Sequence, residues 1–117
     1  LIEIKGEDYS VIYKPETQTV TLTGIIRLPG NDYKDIAKVL HQVAAQQSNM
    51  ITLDTRQLEF LNSSGINHLL LFAIKLRQQS PATKLIVKGS TQIPWQQYSL
   101  KNLRTMNKNV ELVWESS

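Results

Sequence analysis

The sequence contains no cysteine. Disulfides, thiolate metal sites and cysteine nucleophiles are excluded, and the composition suits a reducing compartment. No apolar run approaches the roughly 20 residues that a membrane-spanning helix requires. The densest apolar stretch, Leu69 to Ala73, is short and lies within a helical pattern. No signal-peptide pattern opens the chain. The expectation is a cytoplasmic protein without membrane insertion. Internal repeats, low-complexity tracts and linkers are missing as well, and no Gly-rich loop is present to cradle a nucleotide phosphate. No metal site and no cofactor are expected.

Negative charge is absent from one long segment. Not one Asp or Glu lies between Phe60 and Val110, whereas Lys75, Arg77, Lys84, Lys88, Lys101, Arg104 and Lys108 do. The acidic residues crowd into the first half, and the whole chain carries +3. Two readings fit this asymmetry. The lysines solvate exposed helix faces, or the basic half faces an acidic partner or a phosphorylated group. The cations are spread out rather than densely clustered, so nucleic acid is not expected.

What the chain does have is clear periodicity. A length of 117 residues suffices for one core without staples, and a single domain over residues 1–117 is expected. Tyr9 to Tyr13 and Val20 to Ile26 are rich in β-branched and aromatic residues, with Pro15-Glu16-Thr17-Gln18 as the turn of an antiparallel hairpin. Leu28 to Asp32 breaks the strand and offers N-cap candidates for a helix marked by Ile36, Ala37, Leu40, Val43 and Ala44, ending near Gln47. Met50 to Leu53 reads as a short buried strand, followed by a loop carrying Leu58, Phe60 and Leu61. Ile66, Leu69, Leu70, Ala73 and Leu76 mark a second helix, stopped at Ser80-Pro81. Lys84 to Val87 is a strand, Pro94 opens a third helix with Trp95, Tyr98 and Leu103 inward, and Val110 to Trp114 closes the order β-β-α-β-α-β-α-β from Tyr9 onward. A hairpin followed by strand–helix alternation predicts an α/β fold: a mixed sheet packed by helices, its later strands parallel.

The segment with most chemistry is Ile51 to Ile66. Asn62, Ser63 and Ser64 stand where the second helix begins, and Asn and Ser oxygens accept hydrogen bonds from first-turn amides. The same end of a helix carries positive potential, so an anion there gains about 0.3–2 kcal/mol. A phosphate on Ser64, or on Ser63 as second choice, would add nearly two negative charges to a segment otherwise free of acids. Plain capping explains the same residues, with Gly65 present for close backbone packing.

The strand ending in Leu53-Asp54, then Leu58-x-Phe60-Leu61, Asn62-Ser63-Ser64-Gly65-Ile66 and Leu69-Leu70 together resemble the STAS domain, the family of bacterial anti-sigma factor antagonists. Leu22-Thr23-Gly24-Ile25 is similar to its second strand, and the order of elements agrees over nearly the whole chain. The resemblance implies a non-enzymatic partner-switching protein. Its partners would be an anti-sigma factor that is also a serine kinase, and a PP2C-type phosphatase. Phosphorylation of the serine before the glycine, here Ser64, would break the kinase complex. A contact surface of Asn62, Ser63, Ser64, Gly65, Asn67 and His68 follows, with Asp54 and Thr55 as structural loop residues. One departure is that Asn62 stands where phosphorylated members usually have Asp.

Other readings remain. The same fold serves as a subunit of membrane-transport complexes, binding an ATPase partner. A small serine hydrolase would need His68, four positions after Ser64, as its base, but a helical neighbour aims poorly at the helix start and no G-x-S-x-G elbow is present. Asp54 as a receiver-type phosphoacceptor lacks the accompanying carboxylates; bonding to the amides that follow it is the simpler role. Homodimerisation through sheet or helix faces stays open.

Overall fold

The structure is a computed structural model that describes residues 1–116. Its six strands form one sheet in sequence order. β1 (Ile2–Lys5), β2 (Tyr9–Lys14) and β3 (Thr19–Ile26) make an antiparallel meander. β4 (Met50–Leu61), β5 (Lys84–Ser90) and β6 (Val110–Glu115) extend it from β3 in parallel. This is the mixed α/β sheet that the alternating pattern predicts.

β1 is an addition to the expected order. Its Ile2 and Ile4 stand opposite Tyr13 and Val11, which are buried, so the short strand completes the covered face at the sheet's edge. Four alternating residues are too few for periodicity alone to separate a strand from a tail. The hairpin turn falls at the expected residues, with Gln18 in the left-handed region at φ 52°. Gly24, at φ +86°, sits where a Cβ would lie 2.1 Å from the Asp8 carbonyl oxygen. Only glycine fits there, and the register between β3 and β4 shifts beside it.

A 3-10 turn (Gly30–Tyr33) leads into α1 (Lys34–Ala45), so Asn31 and Asp32 lie inside that turn and do not cap α1. α2 (Ser63–Gln79) follows β4, and α3 (Pro94–Leu100) and α4 (Asn102–Met106) replace the single third helix expected. Tyr98, expected inward, is 78% exposed, and Gln96, Leu100 and Leu103 are the buried residues of that segment.

Each parallel strand lies beside its predecessor, so right-handed crossovers put all the helices on one side. α1 packs on α2, and α2 on α4. Val20, Leu22, Leu53, Leu85 and Val87 point into that layer and are buried. Each fully buried aliphatic side chain contributes about 1.5–3 kcal/mol. Their strand neighbours Thr21, Thr52, Asp54, Ile86 and Lys88 lie on the uncovered face and keep partial contact with water.

The main correction concerns β4. It runs through 12 residues to Leu61, so Asp54 and Thr55 are strand residues and no loop separates Leu53 from Leu61. Register shifts against β3 break the two-residue period and make the segment resemble a loop in sequence. Only Met50–Asp54 pairs with β5. Beyond that point the free backbone is met by side chains: Gln96 Nε2 donates to the carbonyls of Thr55 (2.7 Å) and Leu58 (2.9 Å), and Trp95 Nε1 donates to Glu59 (2.8 Å). Gln96 Oε1 accepts from the Ser90 amide at 2.7 Å. A buried glutamine thus stands in for missing ladder bonds at the end of β5.

Candidate functional site

The long β4 delivers the chain to the start of α2, where Asn62 is the N-cap in extended conformation. Its Oδ1 accepts the Gly65 amide at 3.0 Å and the Tyr33 hydroxyl at 2.5 Å, and its Nδ2 donates to the Leu28 carbonyl at 2.8 Å. One side chain therefore ties the helix start to the segment between β3 and α1. The Nδ2 contact gives a physical reason for Asn at this position. An aspartate would set a carboxylate oxygen against the Leu28 carbonyl oxygen, with no proton between them at neutral pH.

Gly65 is buried, and a Cβ there would lie 2.2 Å from Leu61 Cδ1 and 2.6 Å from the Tyr33 hydroxyl oxygen. The missing side chain lets α2 close onto Tyr33. The Tyr33 ring then stacks on His68, with centroids 5.1 Å apart and planes at 29°. Burial raises the Tyr33 pKa above its ordinary value, partly offset by a backbone contact from Leu28, so the hydroxyl stays protonated as the donor to Asn62.

Ser63 and Ser64 occupy the first two positions of α2. Ser63 is exposed and Ser64 half-buried. A Cβ on Gly30 would lie 3.8 Å from Ser64 Oγ, an ordinary contact distance, so this hydroxyl stands beside the 3-10 turn. The first-turn amides of an α-helix lack partners within the helix, and Asn62 takes only that of Gly65. A group on Ser64 Oγ would meet local positive potential and a helix with no acidic residue in its first turn.

The other expected site residues separate into two sets. Asn67 is exposed and His68 half-buried on the same helix, so both remain next to Ser64. Asn62 and Gly65 build the local structure, their polar and packing capacity being used internally. His68 stacks on Tyr33, and no side-chain hydrogen bond links it to Ser64 among the described residues. Thr55 is buried and donates through Oγ1 to the Lys88 carbonyl at 2.8 Å. Asp54 Oδ1 accepts the Arg56 amide at 3.1 Å, and its carboxylate pairs with the Arg56 guanidinium at 2.8 Å. Burial opposes ionisation of Asp54, but the Arg56 contacts outweigh it and hold its carboxyl below the usual value. Arg56 also reaches Glu115 at 3.0 Å, and these contacts lie on the uncovered sheet face, away from Ser64.

Tyr33 is the residue that sequence reasoning missed. It stands at the end of the Leu28 to Asp32 breaker, and no spacing rule ties a tyrosine there to a helix start 29 positions later.

The fold defined by this mixed sheet and one-sided helical layer has solved counterparts. No family model matches the sequence, and no curated protein does. A chain of the crystal structure of the diguanylate cyclase SiaD in complex with its activator SiaC, from Pseudomonas aeruginosa, superposes with a TM-score of 0.71 at 14% identity, over 99% of both chains. SiaC of Pseudomonas aeruginosa superposes with a TM-score of 0.63 at 14% identity, over 99% of this chain and 96% of that one. The chain therefore shares its whole fold, end to end, with SiaC-type structures.

Proposed function

We propose that this chain is a non-enzymatic regulatory module that works by partner switching, with Ser64 as the phosphorylated residue and Ser63 as the second choice. The observation that carries the reading is the placement of Ser64 at the second position of α2, half-exposed, with its Oγ beside Gly30 of the 3-10 turn. The fold shared with SiaC, described as the activator of a diguanylate cyclase, supports a protein partner that is itself a signalling enzyme. The STAS resemblance narrows that partner to an anti-sigma-type serine kinase, with a PP2C-type phosphatase restoring the unmodified form. The working place is the cytoplasm; no described helix is long and apolar enough to cross a membrane.

The mechanism needs no catalysis by this chain. A phosphate on Ser64 gains from the helix dipole in the free protein but must be desolvated under a bound partner. A loss of 1.4 kcal/mol lowers affinity tenfold. Calorimetry with the proteins encoded beside this one tests the reading directly. Ser64→Asp is expected to weaken binding at least tenfold, whereas Ser64→Ala binds like the parent and resists kinase. Equal binding by parent, Ser64→Asp and Ser64→Ala would refute the switch.

A further inference from the structure

Leu71 is out of place. Six apolar residues in a row, Leu69 to Ile74, cover more than one side of α2. Leu69 and Phe72 are buried, but Leu71 is 57% exposed. It projects into a groove of about 660 Å³ between α1 and α2, whose floor is completed by Ala37, Leu40 and Ile74. A helix surface that keeps a leucine in water beside such a channel has an unfilled contact.

The groove is rimmed by cations. Lys38 lines it from α1 and Lys75 from α2, and Lys75 Nζ lies 3.0 Å from His41 Nδ1, which holds the ammonium across the channel. No lining residue is acidic. Its wall on α2 runs from His68 to Gln78, about 15 Å at 1.5 Å per helical residue, and its wall on α1 from Ala37 to His41, about 6 Å. The longer wall matches about three turns of a helix laid along α2, flanked by α1 over about one turn.

We propose that this groove is the docking site for an amphipathic helix of the partner, one that carries leucine-like side chains on one face and carboxylates on its flanks. The inference rests on the interaction role given above and specifies the surface that performs it. A second copy of the chain is a poor occupant. Its own helices carry a single acid, Asp35 on α1, and so offer no acidic amphipathic face. The groove also reaches the switch. His68 lines its end and stacks on Tyr33, which binds the Asn62 cap, and Ser64 stands one turn before His68. A phosphate there would repel the same carboxylates that the lysines attract.

The test uses the full chain and a fluorescein-labelled 18-residue peptide with leucines at i, i+3, i+4 and i+7 spacing and glutamates elsewhere, beside a twin with lysines for the glutamates. Anisotropy at low salt is expected to show binding of the acidic peptide at least tenfold tighter than its twin. Leu71→Glu and, independently, Lys75→Glu should each weaken it tenfold or more, with unchanged thermal melts because both positions retain solvent contact. Backbone amide shifts in NMR should centre on α1 and α2. Several results overturn the inference: no binding at millimolar peptide, equal binding of the twin, indifference to Leu71→Glu, or shifts centred on Lys101, Arg104 and Lys108 instead. Binding of phosphatidylglycerol vesicles, lost in Leu71→Glu, without peptide binding would assign the groove to a lipid surface. With the natural partner, release by Ser64→Asp but not by Leu71→Glu removes the groove and leaves the switch standing. The opposite pattern removes the switch and keeps the groove.

Discussion

Replacing Gly65 by alanine tests whether the start of α2 is held by close packing. The new methyl would lie 2.2 Å from Leu61 Cδ1, 2.7 Å from Leu61 Cγ and 2.6 Å from the Tyr33 hydroxyl oxygen. Leu61 is buried, and Tyr33 is pinned by His68 on its ring and Asn62 on its hydroxyl, so neither can swing aside cheaply. Overpacking of this kind costs about 1–3 kcal/mol. Displacing the Tyr33–Asn62 hydrogen bond adds about 0.5–1.5 kcal/mol. Against this, alanine is the better helix former by up to ~1 kcal/mol. The net expectation is a destabilisation of about 1–3 kcal/mol, or a fall in Tm of roughly 4–12 °C for a domain of this size. Gly30→Ala is the matched control, because its methyl meets only Ser64 Oγ, at 3.8 Å, and should change stability by less than about 0.5 kcal/mol. Thermal and urea unfolding followed by circular dichroism measure both. If Gly65→Ala melts with the parent, the packing argument for the helix start is wrong.

Three further outcomes follow from the same contacts. Asn62→Ala removes the cap and leaves the Tyr33 hydroxyl and the Leu28 carbonyl without their partner, a loss of about 2–4 kcal/mol; Asn62→Asp keeps the cap but sets a carboxylate against the Leu28 carbonyl, and should still lose at least about 1 kcal/mol by urea unfolding. Gln96→Leu keeps the volume but strips the Thr55 and Leu58 carbonyls and the Ser90 amide, and should cost at least about 3 kcal/mol, with faster hydrogen exchange at the Ser90 amide. The Asp54 carboxyl has a folded pKa below its unfolded one, so its contribution is present above about pH 4 and is lost as pH falls through the folded value. The stability gap between parent and Asp54→Asn should therefore be constant from pH 7 to 5 and close on further acidification; a gap that persists at pH 2 would contradict the ion-pair assignment.

Much of the fold was legible because its signals are local. The Pro15 to Gln18 turn, the helical spacing from Ile36 to Ala44, the Ser80-Pro81 stop and Pro94 at the first position of α3 each carry their own chemistry in a few residues. The start of α2 was legible for the same reason, since a cap needs only Asn62 and the amide three positions on. The misses come from contacts between distant segments. β4 looked like a loop beyond Leu53 because its far end is completed by Gln96 and Trp95, about 40 positions later. The role of Tyr33 depends on a hydrogen bond to Asn62 that no periodicity encodes. The exposed Leu71 was hidden within an apolar run that reads as core until the neighbouring helix is in place.

The uncovered side of the sheet gives experimenters a handle. Thr21, Thr52 and Ile86 sit on it with the full thickness of the sheet between them and α2. The chain has no native thiol, so a single cysteine introduced at any of them is a unique attachment point for a dye, a bead or a sensor surface. A molecule anchored from behind in this way presents Ser64, His68 and Leu71 outward together, and binding to them can be read without the tether competing for the same ground.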